Sequence, residues 1–308
     1  MTSYEKFNKV MQTFLKTSET VSKSKDTYEK YRIVLTDFGA CLKANDEQRE
    51  DVTSLMVLEY KKAVKSRNVS SNTERDYLTI LHAFFVWAIE HKFYTEQPIL
   101  AHDKPGKEKV EYDLLSNNEI NTVLGGKIPR YSAQATAVRN RAWVFLLIQT
   151  GIRTSELLNL RYGDLDFTNN SIRIVKGKGG KSRSVGFPAM ARRFVEEYIE
   201  SENSRICGDE NALLFGHYDK KGNFKPFTRQ NFYQVIRSYI RRSVGHDKIG
   251  GHDLRHSNAS VLFTNNVGLA TIQQVLGHSN PETTRIYIEN LCPESAPATV
   301  NAVFDARA

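Results

Sequence analysis

Between Gly251 and Ile288 the chain gathers His252, Arg255, His278 and Tyr287, four side chains whose types suit chemistry on a phosphodiester. A tyrosine hydroxyl has a reference pKa of about 10, so near neutral pH it attacks an electrophile only beside a base and in a positive field. The histidines supply the base. The arginine supplies the field, and its planar fork matches two phosphate oxygens at once, which a lysine ammonium does not. Arg153 in TGIRTSELLNL stands at the head of a short helix, where exposed backbone N–H groups favour an anion. Taken alone, it reads first as the surface partner of Glu156 three residues on. Lys176, Lys178 and Lys181 sit in KGKGGK at the tip of a hairpin between SIRIV and KSRSVGF, where edge lysines also serve solubility.

These side chains need elements to hold them. His252 and Arg255 are three apart at the head of a helix and share one face, with Leu254, Ala259, Val261, Leu262 and Phe263 as candidate buried positions and His256 as a packing histidine or a support behind the site residues. Residues 268–276 read as the next helix, ended by Gly277, with His278 on the following turn. Pro281 opens a helix that carries Tyr287. Leu157, Leu158 and Leu160 bury one side of the helix after Arg153. Helices are also expected over about 137–149, 189–202 and 228–243, the last bearing Arg229, Arg237, Arg241 and Arg242. Ser116 and Glu119 have capping-box spacing ahead of Ile120, Val123 and Leu124. A small alanine-rich helix, residues 295–308, trails beyond Tyr287 as a frayed end or as a contact to a neighbouring subunit.

The first ninety residues are helical throughout by apolar spacing, with limits near 2–16, 24–42, 53–66 and 71–91. Lys23, Lys25, Lys30, Lys61, Lys62, Lys65, Arg67 and Arg75 crowd their polar faces. Singly, each reads as a solvated charge; together they form a candidate DNA-facing side. Residues 98–112, PILAHDKPGKEKVEY, carry two prolines, a glycine and Lys104, Lys107 and Lys109, and read as a basic linker between domains 1–97 and 113–308. The fold class is therefore mainly α with a small β-hairpin or sheet.

At 308 residues and 40% apolar content the chain is long enough for roughly two domains with buried cores. A net charge of +8 points to a polyanionic partner, nucleic acid first. Cys41, Cys207 and Cys292 lack metal-ligand spacing and do not suggest a disulfide framework, which fits a reducing cytoplasm. The N-terminus has no apolar export segment, and no run of about 18 apolar residues occurs, so no membrane role is expected.

Arg153, Lys178, His252, Arg255, His278 and Tyr287 occur in an order that resembles the tyrosine recombinases, also called phage integrases. The likeness spans about Leu115 to Leu291 and, more loosely, the helical first half, which looks like that family's core-site DNA-binding domain. Six motif positions in order are specific; an HxxR or TxxxY alone is not. The resemblance implies that Arg153 and Arg255 clamp the scissile phosphate, that Tyr287 forms a 3′-phosphotyrosyl link, and that His252 handles the phenolic proton. It also gives Lys178, favoured over Lys181 by the GKG pattern, the task of protonating the 5′-oxygen, and His278 a hydrogen bond to the phosphate. It implies no cofactor, neither nucleotide nor metal. The expected partner is double-stranded DNA with an inverted-repeat core site, bound by a homotetramer that passes through a Holliday junction, with accessory DNA-bending proteins as further candidates. The helices begin almost at Met1, as in the compact two-domain members. Where the family tends to carry Pro-Leu after the hairpin, this chain has Gly186 and Phe187.

Two other readings compete. The same covalent chemistry serves type IB topoisomerases, which relax any supercoiled plasmid instead of cutting a chosen repeat. A non-catalytic DNA-binding regulator is suggested by the helix-turn-helix-like LATIQQVLGHSNPETT, and is weakened by the complete catalytic set.

Overall fold

The computed structural model describes residues 1–21, 25–45, 51–106, 108, 113–125, 134–175, 182–201 and 209–277. The predicted positions Lys178, His278 and Tyr287, the alternative Lys181 and the 295–308 tail lie outside these. The chain divides into two compact units, Met1–Val110 and Glu111–Ala308.

The first unit contains four helices, α1 (Ser3–Val21), α2 (Lys25–Ala44), α3 (Ser54–Lys65) and α4 (Ser71–Glu90). Each presents an apolar stripe inward, and the stripes meet in an aromatic core. Phe7 lies edge-on to Phe38 and Phe84 at 5.1 Å each, and Phe38 to Tyr60 at 5.1 Å, the geometry that ring quadrupoles favour. Thr53 and Ser70 cap α3 and α4 by accepting the amides of Met56 and Thr73.

The segment that reads as a linker begins packed on this unit. Ile99 is buried in the helical core, Asp103 accepts Lys61 Nζ at 3.0 Å, and Pro105 O accepts Arg75 Nη1 at 2.6 Å. Arg67 pairs with Asp37 at 2.8 Å. Lys61, Arg67 and Arg75, three cations on the candidate DNA-facing side, thus hold internal partners.

The second unit is built around α6 (Gln134–Thr150), apolar on all sides from Ala142 to Ile148 and accordingly buried. Around it are α5 (Asn117–Gly125), α7 (Thr154–Leu158), α8 (Ala189–Ser201), α9 (Arg229–Val244), α10 (Gly251–Thr264) and α11 (Leu269–Leu276). The expected capping box opens α5: Glu119 Oε2 accepts Ser116 N at 2.8 Å, and Ser116 Oγ accepts Glu119 N at 3.3 Å.

The hairpin is part of a three-stranded antiparallel sheet. Strand β1 (Leu165–Asp166) pairs with β2 (Ser171–Ile174), and β2 with β3 (Arg183–Gly186), in the register Ile172↔Val185 and Ile174↔Arg183. A second small ladder joins β4 (His217–Tyr218) to β5 (Phe224–Lys225). Strand β1 and this ladder are additions to the expected hairpin. Phe187, at the departure from the family's Pro-Leu, is buried beside Phe167, with ring centroids 6.0 Å apart.

One expectation for α10 is corrected. Leu254 and Ala259 are buried, but Val261, Leu262 and Phe263 are only half-buried. The enclosed run is largely polar: Arg255, His256, Ser257, Asn258 and Ser260. Such groups are tolerated inside because they find partners. Asn258 Nδ2 donates to Ile148 O at 2.8 Å, and Ser257 Oγ donates to Asp253 O at 3.0 Å.

Candidate active site

The last carbonyls of a helix have no acceptor role within it and carry the negative end of its dipole, so they suit cationic donors. At the end of α11 three consecutive carbonyls receive three arginines. Val275 O accepts Arg183 Nε at 3.3 Å, Leu276 O accepts Arg255 Nη2, and Gly277 O accepts Arg153 Nη2 at 2.6 Å. Arg255 Nη1 also donates to Gly151 O, just past the end of α6, at 2.5 Å.

Glycine is required at both helix ends. Gly151 and Gly277 have φ of +64° and +60°, and a Cβ on them would lie 2.6 Å from Asn258 Oδ1 and 2.9 Å from Arg183 Cδ.

Three of the predicted residues are thereby brought together. Arg153 and Arg255 are held on adjacent peptide groups, and His252 lies within the field of both. Burial of its surroundings pulls the His252 imidazole below its ordinary value, the Arg255 and Arg153 charges push it further down, and Asp253 opposes them. An imidazole shifted toward its neutral form beside two guanidinium groups is suited to accepting a proton. Its ring stacks on the buried His256 at 4.6 Å, the i,i+4 neighbour on α10. This contact is compatible with both roles expected of His256, packing and support behind a site residue. Asp253 Oδ2 accepts Gly250 N at 2.8 Å and fixes the helix start that carries His252.

Arg153 and Arg255 differ in access. The Arg153 side chain is 21% exposed, whereas Arg255 is 1% exposed and enclosed by the ends of α6 and α11.

Glu156 makes the expected pair with Arg153, and more. Its Oε1 accepts Arg153 Nη1 at 2.8 Å and Arg183 Nη1 at 2.7 Å; its Oε2 accepts Arg153 N at 2.7 Å and Arg183 Nη2 at 2.8 Å. Burial alone would raise this carboxyl, but the Arg183 fork, the Arg153 amide and the Arg153 side chain bring it from 4.5 down to about 2. A folded-state value below the unfolded one means that the ionised group stabilises the fold above about pH 4.5, and that this contribution is lost as pH falls toward 2. Acid titration of unfolding should therefore show wild type losing more stability than Glu156→Gln across that window; equal losses would remove Glu156 as the acid-sensitive group.

Arg183 is the site residue that the sequence reading passed over. Strand alternation offered a signal, because Arg183 falls on the same face of β3 as buried Val185, and a charge on a buried face needs a partner.

The phage integrase family model matches residues 114–292, more than half of the chain. The chain belongs to the phage integrase family. It is a tyrosine-type site-specific recombinase, an enzyme of DNA recombination. This recombinase is 28% identical over 269 residues to the tyrosine recombinase XerD of Oceanobacillus iheyensis, covering 86% of this chain and 87% of that protein. It is 27% identical over 270 residues to the tyrosine recombinase XerC of a Roseiflexus species, covering 85% and 82% respectively. In fold it is similar to the XerH site-specific recombinase solved with a palindromic difH substrate in a post-cleavage complex. That similarity has a TM-score of 0.73, spans 89% of this chain and 79% of that one, and comes with 23% identity. Among the described residues no helix is long and apolar enough to cross a membrane.

Proposed function

We propose that this recombinase cuts and rejoins duplex DNA with Arg153, Lys178, His252, Arg255, His278 and Tyr287. The observation that carries the reading is the seating of Arg153 and Arg255 on the adjacent carbonyls of Gly277 and Leu276, with His252 three residues before Arg255 on α10. Two forks fixed this way present positive charge where a phosphorane gains negative charge, so they stabilise the transition state more than the ground state. Tyr287 Oη attacks phosphorus and His252 takes the phenolic proton. The bond from phosphorus to the 5′-oxygen breaks, and Lys178 protonates that oxygen. His278 donates to a non-bridging oxygen. The phosphotyrosyl bond conserves the energy of the broken link, so a 5′-hydroxyl from another strand reverses the step and reseals the DNA.

In this reading the 1–97 helices bind the core site, residues 98–112 connect, and 113–308 carry the chemistry. Exchange between two duplexes needs four active sites, hence a homotetramer, a Holliday junction and an inverted-repeat core site. The tail after Tyr287 is the natural contact between subunits, DNA-bending proteins are candidate helpers, and the compartment is the cytoplasm.

The test is covalent capture. Wild type incubated with fragmented genomic DNA, then denatured and digested, should leave peptide-linked 3′ ends whose sequences share one inverted repeat. Ends with no shared sequence would favour a topoisomerase-like activity. On a nicked duplex of the recovered site, Arg153→Ala should cleave about 10² to 10³-fold more slowly, the usual loss for one donor to a developing oxyanion. It should keep most of its DNA affinity; parallel loss of affinity would make Arg153 a duplex-positioning residue only.

A further inference from the structure

We propose that Arg183 is a positioning residue for strand cleavage, acting through Glu156 to leave the cluster with net positive charge and to hold Arg153 turned toward the scissile phosphate. The proposal rests on the reading of Arg153 as a phosphate ligand.

Arg183 opens β3, the strand that closes the lysine-bearing hairpin, and its side chain is only 14% exposed. It grips both oxygens of Glu156 as a fork, at 2.7 and 2.8 Å. A carboxylate chelated in this way has one further direction to offer on each oxygen. On Oε2 the Arg153 backbone amide takes it, and on Oε1 a single Arg153 N–H takes it. Arg153 therefore cannot form its own two-pronged pair with Glu156. One N–H group stays on the carboxylate, a second is carried to Gly277 O, and the planar guanidinium is fixed between the two.

Charge follows the same geometry. Two guanidinium groups and one carboxylate leave the cluster with a net charge of +1, whereas Arg153 and Glu156 alone would sum to zero. A neutral pair offers little to a phosphate; the triad keeps one positive charge on its accessible member. Arg183 also lies over Gly277, whose missing Cβ is what admits it, so it touches both anchors of Arg153, the carboxylate and the end of α11.

The experiment uses full-length enzyme and the nicked duplex recovered by covalent capture, in two forms: one with an ordinary scissile phosphate, one with a methylphosphonate, which lacks the negative charge that a guanidinium would hold. On the phosphate, Arg183→Ala is expected to form the covalent adduct about 10²-fold more slowly, the scale of one misplaced transition-state donor, while DNA affinity stays within about threefold. Arg183→Lys, which keeps the charge but cannot fork, should recover about tenfold of that loss. On the methylphosphonate the gap between wild type and Arg183→Ala should narrow to a few-fold, because the charge that Arg153 serves is gone. A merely structural role would give equal losses on both substrates and no gain from lysine, and either result overturns the proposal. Full-rate cleavage by Arg183→Ala beside a crippled Arg153→Ala overturns this proposal alone. Full-rate cleavage by Arg153→Ala overturns the reading of Arg153 as a phosphate ligand, and this proposal with it.

Discussion

Tyr287→Phe is expected to bind the core site with wild-type affinity and to form no covalent adduct with it. The substitution removes one oxygen, leaves the ring and changes no formal charge. What disappears is the atom proposed to attack phosphorus. Removal of a nucleophile in comparable covalent catalysis lowers turnover on the order of 10⁶-fold, below any practical limit for gel detection of a protein–DNA adduct. Measured on a nicked suicide duplex, an adduct formed by Tyr287→Phe at more than a trace would assign the nucleophile to another of the fourteen tyrosines. Unchanged function of any kind in that variant would revive the regulator reading. Affinity reduced together with cleavage would place Tyr287 in the DNA-binding surface instead of at the reaction.

The sequence made some of this arrangement legible and left the rest hidden, for a physical reason. Helices such as α1 and α4 announce themselves because their pattern repeats every turn within a dozen residues, and the capping box of Ser116 with Glu119 is closed over three. The catalytic candidates were recognisable because a family order links motifs that are individually weak. Partners separated by long stretches of chain were not. Arg183 reaches Glu156 across 27 residues, and Arg255 reaches Gly151 across 104, and neither distance leaves a periodic trace. Strands β1, β4 and β5 have two residues each, too few for alternation to register, and exist only by virtue of the strands beside them. The basic faces of the first unit show the converse problem. Lys61, Arg67 and Arg75, which by composition read singly as solvated charges and together as part of a candidate DNA-facing side, each have an internal partner in Asp103, Asp37 or Pro105 O. Charge counts report how many cations exist and not which are engaged.

Arg255→Ala should lose cleavage as completely as any arginine variant and, unlike Tyr287→Phe, should also weaken the second unit. Arg255 is enclosed, and it bridges the end of α6, through Gly151 O, to the end of α11, through Leu276 O. Truncation leaves two buried carbonyls without this donor and a cavity where a large side chain stood, a combination that costs about 3 kcal/mol or more. It also unties α11 from α6, and the same helix end anchors Arg153 through Gly277, so the second guanidinium loses its seat with the first. Stability and chemistry are coupled here, and the alanine variant alone does not separate them. Arg255→Lys does: its ammonium keeps the charge and reaches one carbonyl, but it has no fork to span both and still face an oxyanion. It should unfold at a denaturant midpoint between those of Ala and wild type, bind DNA normally, and cleave about 10² to 10³-fold more slowly than wild type. Wild-type cleavage by the lysine variant would show that a point charge suffices at this position, and that the paired carbonyl contacts serve the fold alone.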